Sequence, residues 1–581
     1  MAAIFGAIGH VSPAELEEMG RRLAHRGAIA AWQEVAPRVY LGRAASRSRP
    51  VCVRNGLSAV IDLSSMCVRS EADVFKAFAD DGVSGLAQLE VAAAIAAWDE
   101  RSGTLLLARD FVGQKPLHYC QLPGGGVAFA TEYKALLALD SLPAQADLDV
   151  LQYMQCYKRT PRGRTPLKHV HSSPPGAVIR ISRTGALQET QEMRPLQVNV
   201  QATSEEDAQD ELARRYVAAI RSLVAGQRRI GISLSGGIDS MSVAFVCREC
   251  APDAELVGFT AGSGPDDPEI RTAAIVMERL GGRHEPVFVT PQPLIDVLPE
   301  AIWHFESPVG RTETVQQLEI GRAARRAGFD WLMSGMGSDA LFAGMPKHKL
   351  LWLSQLLPPL RKDLHEFYAL TQSGRRPERP MARLMDLLYF RGAVPAVPRV
   401  LESQYVPGLP SLPDPGPEFL NHALATNAHE TISRSLVRLE LPLQAFGVDF
   451  ASPFLDRSVM DYAFALPSRL KIRHGKEKYI LRRAMRSLVS ADLLNRPKGI
   501  SRIRQDKEFA GTLLQLAERY LNPDLVGRRG LFDMGEIDHI KSYLQRPNYH
   551  PEAAMRLWTI IATEIWAQIY LDRRGQHPAK C

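Results

Sequence analysis

The chain has no long apolar run. No stretch approaches the roughly 18 consecutive apolar residues that a membrane span requires. The opening MAAIFGAIGHVSPAELEE has neither a basic lead nor an extended apolar core, so it does not read as a secretory signal. Cysteine is scarce: 7 in 581 residues, an odd number without framework spacing, which argues against a secreted disulfide scaffold. The one close pair, Cys247 and Cys250 in CREC, lacks the second pair a zinc site needs and reads as two thiols on a helix. Charge of one sign is thin as well. The formal net charge of +6 is spread along the chain, with no dense Lys/Arg block interleaved with aromatics. That balance suits anionic ligands such as nucleotides and gives no support to a nucleic-acid partner. The expectation is a cytoplasmic protein with neither membrane nor nucleic acid among its partners.

Apolar residues make up 45% and charged residues 23%, ordinary values for a chain with real cores. At roughly 150 residues per domain, the length suits about two to four domains. Up to about residue 195 the pattern is one of short strands and turns, as in GTLLLARD (103–110), GGVAFATEY (125–133) and PPGAVIRIS (174–182). A polar stretch, LQVNVQATSEED, then reads as a linker. Ser204 followed by Asp207 signals a helix start, and Leu212, Tyr216, Ile220 and Leu223/Val224 form its apolar stripe. From there strands alternate with helices: RIGISL (229–234), ELVGFTA (255–261), EPVFVT (285–290) and DWLMSG (330–335). Such alternation predicts a parallel sheet covered by helices, with ligands at the carboxyl ends of its strands. Beyond about residue 345 the pattern is mostly helical, interrupted by seven prolines over 395–417, a density that reads as a loop or lid.

The chemistry concentrates in SLSGGIDS (233–240), between a strand and a helix. Gly236 and Gly237 let the backbone approach an anion, Ser235 and Ser240 offer hydroxyls, and amides at a helix start carry partial positive charge. Asp239 inside such a loop would repel a phosphate unless a cation lay between them, and Mg²⁺ is the natural one. The loop lacks the Lys-Ser/Thr ending of a Walker sequence. A second acid, Asp339 in SGMGSDALF, follows the strand 330–335 and would face the same cleft.

SGGIDS resembles the pyrophosphatase-type loop of the α-hydrolase-like superfamily that adenylates a carbonyl oxygen with ATP. RDFVGQKPLHY (109–119), FATEYKALLAL (129–139), SPFLDRSVMDYAFALPSRLKI (452–472), GKEKYILRRAM (475–485) and LLNRPKG (493–499) resemble segments of class B asparagine synthetases. That family includes β-lactam synthetases and lasso-peptide cyclases. The resemblance implies an N-terminal nucleophile-hydrolase-like αββα domain over 1–195. It implies an adenine nucleotide α-hydrolase-like parallel sheet with helical additions over 204–581. Leu234, Ser235, Gly236, Gly237, Asp239 and Ser240, with Gly335 and Gly337 of the second loop, resemble the ATP-binding residues. Asp239 and Asp339 resemble the Mg²⁺ ligands, and Lys498 resembles the lysine that stabilises the α-phosphate and leaving pyrophosphate. Lys478 is a weaker candidate for the same cleft.

The departures are as informative. Ala2 stands where glutamine-hydrolysing members carry a cysteine, and alanine has no nucleophile. The family's glutamine-pocket segment has no counterpart in VIDLSSMCVRSEADVF (60–75), and LDG is replaced by Leu89, Glu90 and Val91. The first domain should therefore release no ammonia, and should pack, scaffold or help bind substrate. Met336 stands where relatives carry a proton-accepting glutamate or tyrosine. His304, Glu306, Glu440 and Asp449 are candidate bases in its place, Glu306 and Asp449 foremost. The resulting expectation is an ATP- and Mg²⁺-dependent synthetase that adenylates a carboxylate and closes an internal amide, of lasso-cyclase or β-lactam-synthetase type. Its substrate would be a peptide or amino-acid derivative bearing both a carboxylate and an amine. A precursor peptide would bring a leader-binding protein and a protease as further partners. The rival expectations are an asparagine-synthetase-like enzyme using free ammonia or another external amine, and a nucleotide-binding scaffold without activity.

Overall fold

The computed structural model describes residues 2–45, 51–66, 69–89, 91–157, 160–161, 163–192, 196–345, 348–349, 351–353, 418–496, 506–546, 548–549 and 551–578. The proline-rich stretch 395–417 and Lys498 lie outside these residues.

The first part contains β1 (Ala2–Ile8), β2 (Ile29–Ala36), β3 (Val39–Ala45), β4 (Cys52–Arg54), β5 (Leu57–Leu63), β6 (Ala93–Asp99), β7 (Thr104–Arg109), β8 (His118–Gln121), β9 (Val127–Ala130), β10 (His171–Ser172), β11 (Ala177–Ser182) and β12 (Leu187–Glu192). They form two sheets, ordered β10-β8-β9-β1-β3-β2 and β12-β11-β7-β6-β5-β4. The period-2 alternation of strands explains the layering. In β1, Ile4 and Ile8 point between the sheets, where they meet Leu41, Leu107, Phe129 and Ile179. Ala3, Phe5 and Ala7 point the other way, onto Leu16, Met19 and Leu136 of the flanking helices. On the far side of the second sheet, Val74 and Phe78 of the helix Glu71–Leu89 pack against Ile61 and Ile95. The result is a helix–sheet–sheet–helix stack.

Ser204 caps the helix Glu205–Val224, accepting the Asp207 amide at 3.0 Å. Its buried stripe comprises Leu212, Tyr216, Ile220 and Val224. A five-stranded sheet follows: β13 (Arg229–Ser233), β14 (Glu255–Gly262), β15 (Arg283–Phe288), β16 (Trp331–Ser334) and β17 (Asp449–Ala451). Its order is β15-β14-β13-β16-β17 and every pairing is parallel. The chain moves outward from β13 to β15, then returns to the other side of β13 with β16. That reversal opens a crevice at the carboxyl ends of β13 and β16, the place where such sheets bind ligands. β17 escaped the reading of the sequence because it is only three residues long. Cys247 and Cys250 both lie on the helix Ile238–Cys250 as free thiols. Among the described residues, no helix is long and apolar enough to cross a membrane.

Candidate functional site

The loop after β13 is braced by its own hydroxyls. The Ser235 amide donates to Ser240 Oγ at 2.9 Å, Ser240 Oγ lies 2.9 Å from both Ser235 Oγ and the Ser235 carbonyl, and the Gly237 amide donates to Ser235 Oγ at 3.3 Å. The helix Ile238–Cys250 begins at Gly237 with no side-chain cap, so its leading amides are presented to the crevice. The loop after β16 comes up against this one. A side chain at Gly335 would place its Cβ 2.8 Å from Asp239 Cβ and from the Ser240 amide, so only glycine permits the approach. Gly337, at φ +100°, turns the chain into the short helix Ser338–Leu341 that carries Asp339.

Asp239 and Asp339 thereby face one another, and Lys478 stands between them. Its Nζ lies 2.5 Å from Asp239 Oδ2 and 2.5 Å from Asp339 Oδ1. Burial works against the ammonium, but the two carboxylates outweigh it and hold Lys478 above its ordinary pKa. Lys478 adopts left-handed backbone angles, φ 54° and ψ 35°, just before the helix Tyr479–Ala484. Gly344 makes room for it, since a Cβ there would fall 2.0 Å from Lys478 Cε. The sequence placed this lysine second to Lys498, because nothing in GKEKYILRRAM announces a left-handed residue aimed back at two distant loops. The donor set fits Mg²⁺. Both carboxylates are hard oxygen ligands on the crevice, and Asp239 Oδ1 is buried with no hydrogen-bond partner among the described residues. Nucleotide phosphates and water would complete the shell.

The structure corrects two expected bases. Asp449 sits at the start of β17, fully buried, facing the first domain. Its Oδ2 accepts from Ser64 Oγ (2.9 Å), the Ser65 amide (2.7 Å) and Ser65 Oγ (3.1 Å), and its Oδ1 from Lys115 Nζ (3.1 Å) and the Phe450 amide (2.9 Å). Burial favours the neutral acid, yet Lys115 and these donors outweigh it and keep Asp449 below the usual carboxylate range. Every lone pair is engaged away from the crevice, so it is no base for an incoming amine. Glu306 follows the helix Leu294–Phe305 and accepts the amides of Tyr133 (2.8 Å) and Lys134 (2.6 Å) at the start of a first-domain helix. Burial, countered by Lys134, raises it to about 7. It caps a helix across the domain boundary, and its contacts among the described residues do not reach the loop after β13.

Both residues belong to one buried charge cluster. Three cations, Arg26, Lys115 and Lys134, face five carboxylates, Asp62, Glu132, Glu306, Glu440 and Asp449. Lys115 lies in RDFVGQKPLHY; Glu132 and Lys134 lie in FATEYKALLAL. Glu440, another candidate base, lies here too, with Oε1 2.7 Å from Lys115 Nζ. His304 is buried beside Trp303 and His25, its ring 5.0 Å from that of His25, and burial holds it well below its ordinary pKa. Ala2 is buried in β1, paired with Ala45. Met336 presents its backbone to the site, its carbonyl accepting from Ser452 Oγ at 2.7 Å.

Comparison with known proteins agrees with this geometry. A family model described as asparagine synthase matches residues 211–568, and one described as glutamine amidotransferase domain matches residues 62–192. The putative glutamine-hydrolysing asparagine synthetase of Mycobacterium tuberculosis is 27% identical over 519 residues, covering 84% of this chain and 78% of its own length. Asparagine synthetase 1 of Bacillus subtilis is 25% identical over 511 residues, covering 82% and 77%. The carboxyethyl-arginine beta-lactam-synthase of Streptomyces clavuligerus is 25% identical over 398 residues, covering 68% and 61%. The stacked sheets of the first part are those of a type 2 glutamine amidotransferase domain, followed by the asparagine synthase domain with its parallel sheet.

Proposed function

The chain belongs to the asparagine synthase family, whose members are ATP-dependent amide-forming enzymes, and from that premise we propose that it adenylates a substrate carboxylate and closes an internal amide. The carrying observation is the pair of strand-end loops with Lys478 held between Asp239 and Asp339.

In this reading a carboxylate oxygen attacks the α-phosphorus of ATP, the bond to the β-phosphate oxygen breaks, and pyrophosphate leaves with that electron pair. The amides of the Ser235–Asp239 loop bind the departing phosphates, and Lys478 supplies a fixed positive charge where negative charge accumulates. Asp239 and Asp339 would hold Mg²⁺, which when bound neutralises phosphate charge. An amine nitrogen then bonds to the acyl carbon, the bond from that carbon to the AMP phosphate oxygen breaks, and AMP leaves with that electron pair. The proton shed by the nitrogen passes to the departing phosphate or to water, and the crevice contributes proximity. Ala2 supports an amine that arrives with the substrate, because that position carries no nucleophile to free ammonia from glutamine. Met336 offers no proton acceptor, which favours an amine delivered in its neutral form.

The substrate class is a peptide or amino-acid derivative bearing both groups, with a lasso-type macrolactam or a β-lactam as product. The kinship with a beta-lactam-synthase supports internal closure. The kinship with asparagine synthetases keeps attack by free ammonia as the second reading. For a precursor peptide, a leader-binding protein and a protease would be the partners.

ATP–pyrophosphate exchange and AMP formation, measured with wild type and Asp239→Ala, test this. AMP formed from a peptide with a free amine and an acidic side chain, with loss of one water from its mass, is the expected result. AMP formed only with aspartate and ammonium would overturn internal closure and establish the second reading. ATP bound without AMP from any carboxylate would make the chain a nucleotide-binding scaffold.

A further inference from the structure

A first domain without a nucleophile still reaches into the synthetase sheet, and it does so at one strand. Ser64, Ser65 and Lys115 bind the carboxylate of Asp449, and Gln114 Nε2 donates to the Phe450 carbonyl at 3.1 Å. Asp449 and Phe450 are the first two residues of β17. That strand is three residues long and, among the described residues, lies at the sheet edge and pairs only with β16, with Trp331 opposite Asp449 and Met333 opposite Ala451. So short an edge strand has few ladder bonds with which to hold its own register. One residue beyond it, Ser452 Oγ donates to the Met336 carbonyl at 2.7 Å, between Gly335 and Gly337 and just ahead of Asp339. Two glycines make that loop soft, and this bond fixes it. Ser64 and Ser65 come from VIDLSSM, in the stretch that lacks the family's glutamine-pocket sequence.

We propose that the first domain is a positioning element for the nucleotide site, with Lys115, Ser64 and Ser65 acting through Asp449, β17 and Ser452 to set the Gly335–Asp339 loop. Lys115 and Asp449 are positioning residues and touch no reacting atom. The proposal rests on the reading of these loops as the site for ATP phosphates, but not on any particular carboxylate or amine.

Binding of Mg²⁺-ATP to the full chain is measured by calorimetry without a carboxylate substrate, alongside the unfolding midpoint. Ser452→Ala is expected to weaken binding roughly fivefold, the size of one hydrogen bond, with little change in the midpoint. Lys115→Met is expected to weaken it at least as much, and the double variant no more than the worse single, since the two act in series. Arg574→Met removes bonds of 2.7 and 3.2 Å to the carbonyls of Leu139 and Leu142, an interdomain contact remote from β17. It should lower the midpoint and leave binding alone. Should Lys115→Met fail to fold, Ser65→Ala, which leaves the Ser65 amide in place, is read instead, with roughly threefold weaker binding expected. Unchanged binding in Ser452→Ala and Lys115→Met, or equal weakening in Arg574→Met, overturns the positioning role. Wild-type protein that binds no Mg²⁺-ATP overturns the reading of the site itself.

Discussion

Two lysines in this molecule each stand between two carboxylates, and they do different things. Lys478 lies 2.5 Å from Asp239 and from Asp339, whose side chains are 15% and 34% exposed. Lys115 lies 2.7 Å from Glu440 and 3.1 Å from Asp449, both at 0%. Composition and distance are nearly the same. What differs is the far side of the acids. In the crevice, Asp239 keeps a buried oxygen without a hydrogen-bond partner among the described residues, and Asp339 opens to solvent. At the interface, hydroxyls and amides of Ser64, Ser65 and Phe450 use up the oxygens of Asp449. What separates the two lysine–carboxylate triads is therefore access: the acids around Lys478 open to solvent, and those around Lys115 are sealed from it.

The sharpest separation of the two triads is in activity. Asp239→Ala and Lys478→Met should each lower pyrophosphate exchange by about 10²–10³-fold or more, as loss of a fixed transition-state charge does. Lys478→Met should shift folding stability by no more than about 1 kcal/mol, because the acids it leaves are partly solvated. Exchange at wild-type rates in either variant would place the chemistry elsewhere. The second largest effect lies on the other triad. Lys115→Met strands buried carboxylates with no path to water and should cost about 3–5 kcal/mol in denaturant unfolding. A loss below about 1 kcal/mol would mean that the interface triad is as wet as the crevice, and the contrast between them would collapse.

The same contrast explains what could be read from the sequence. The four longer parallel strands and the Ser204 cap were legible because each is a local pattern within about ten residues. Asp239 and Asp339 were legible as a pair because each follows a strand end in a glycine-rich loop. The place of Lys478 between them was not legible because it depends on left-handed backbone angles and on the absence of a side chain at Gly344. The interface was not legible at all. Lys115 and Asp449 are 334 positions apart, and either one read alone is an ordinary charged residue. Asp449 and Glu306 became candidate bases for the same reason: an unassigned acid near a motif looks available until its donors are found. The motifs around Lys115, Glu132 and Lys134 carry the family resemblance, and in the fold those charged residues fasten the domains together.

The smallest effect expected is also the most specific to burial. Glu440 shares Lys115 with Asp449, so one ammonium lies between two buried carboxylates. Burial, countered by Lys115, raises Glu440 to about 7, and its Oε2 has no hydrogen-bond partner among the described residues. The folded protein thus holds a proton that the unfolded chain, with an ordinary glutamate, has released. A group raised in this way contributes stability that is complete below its unfolded pKa and is lost as pH rises through its folded value. Stability should therefore fall between about pH 5 and 7 by on the order of 1 kcal/mol per pH unit for each such proton. Glu306, raised to about 7 in the same cluster, adds to the slope. Asp449, held low, contributes the opposite slope only in strong acid. Glu440→Gln keeps an oxygen for Lys115 and removes one titration, so its unfolding free energy should vary less over this window than that of wild type. Equal slopes in the two proteins would mean that Glu440 is ionised throughout, with Lys115 and Arg26 together sufficient to hold it so.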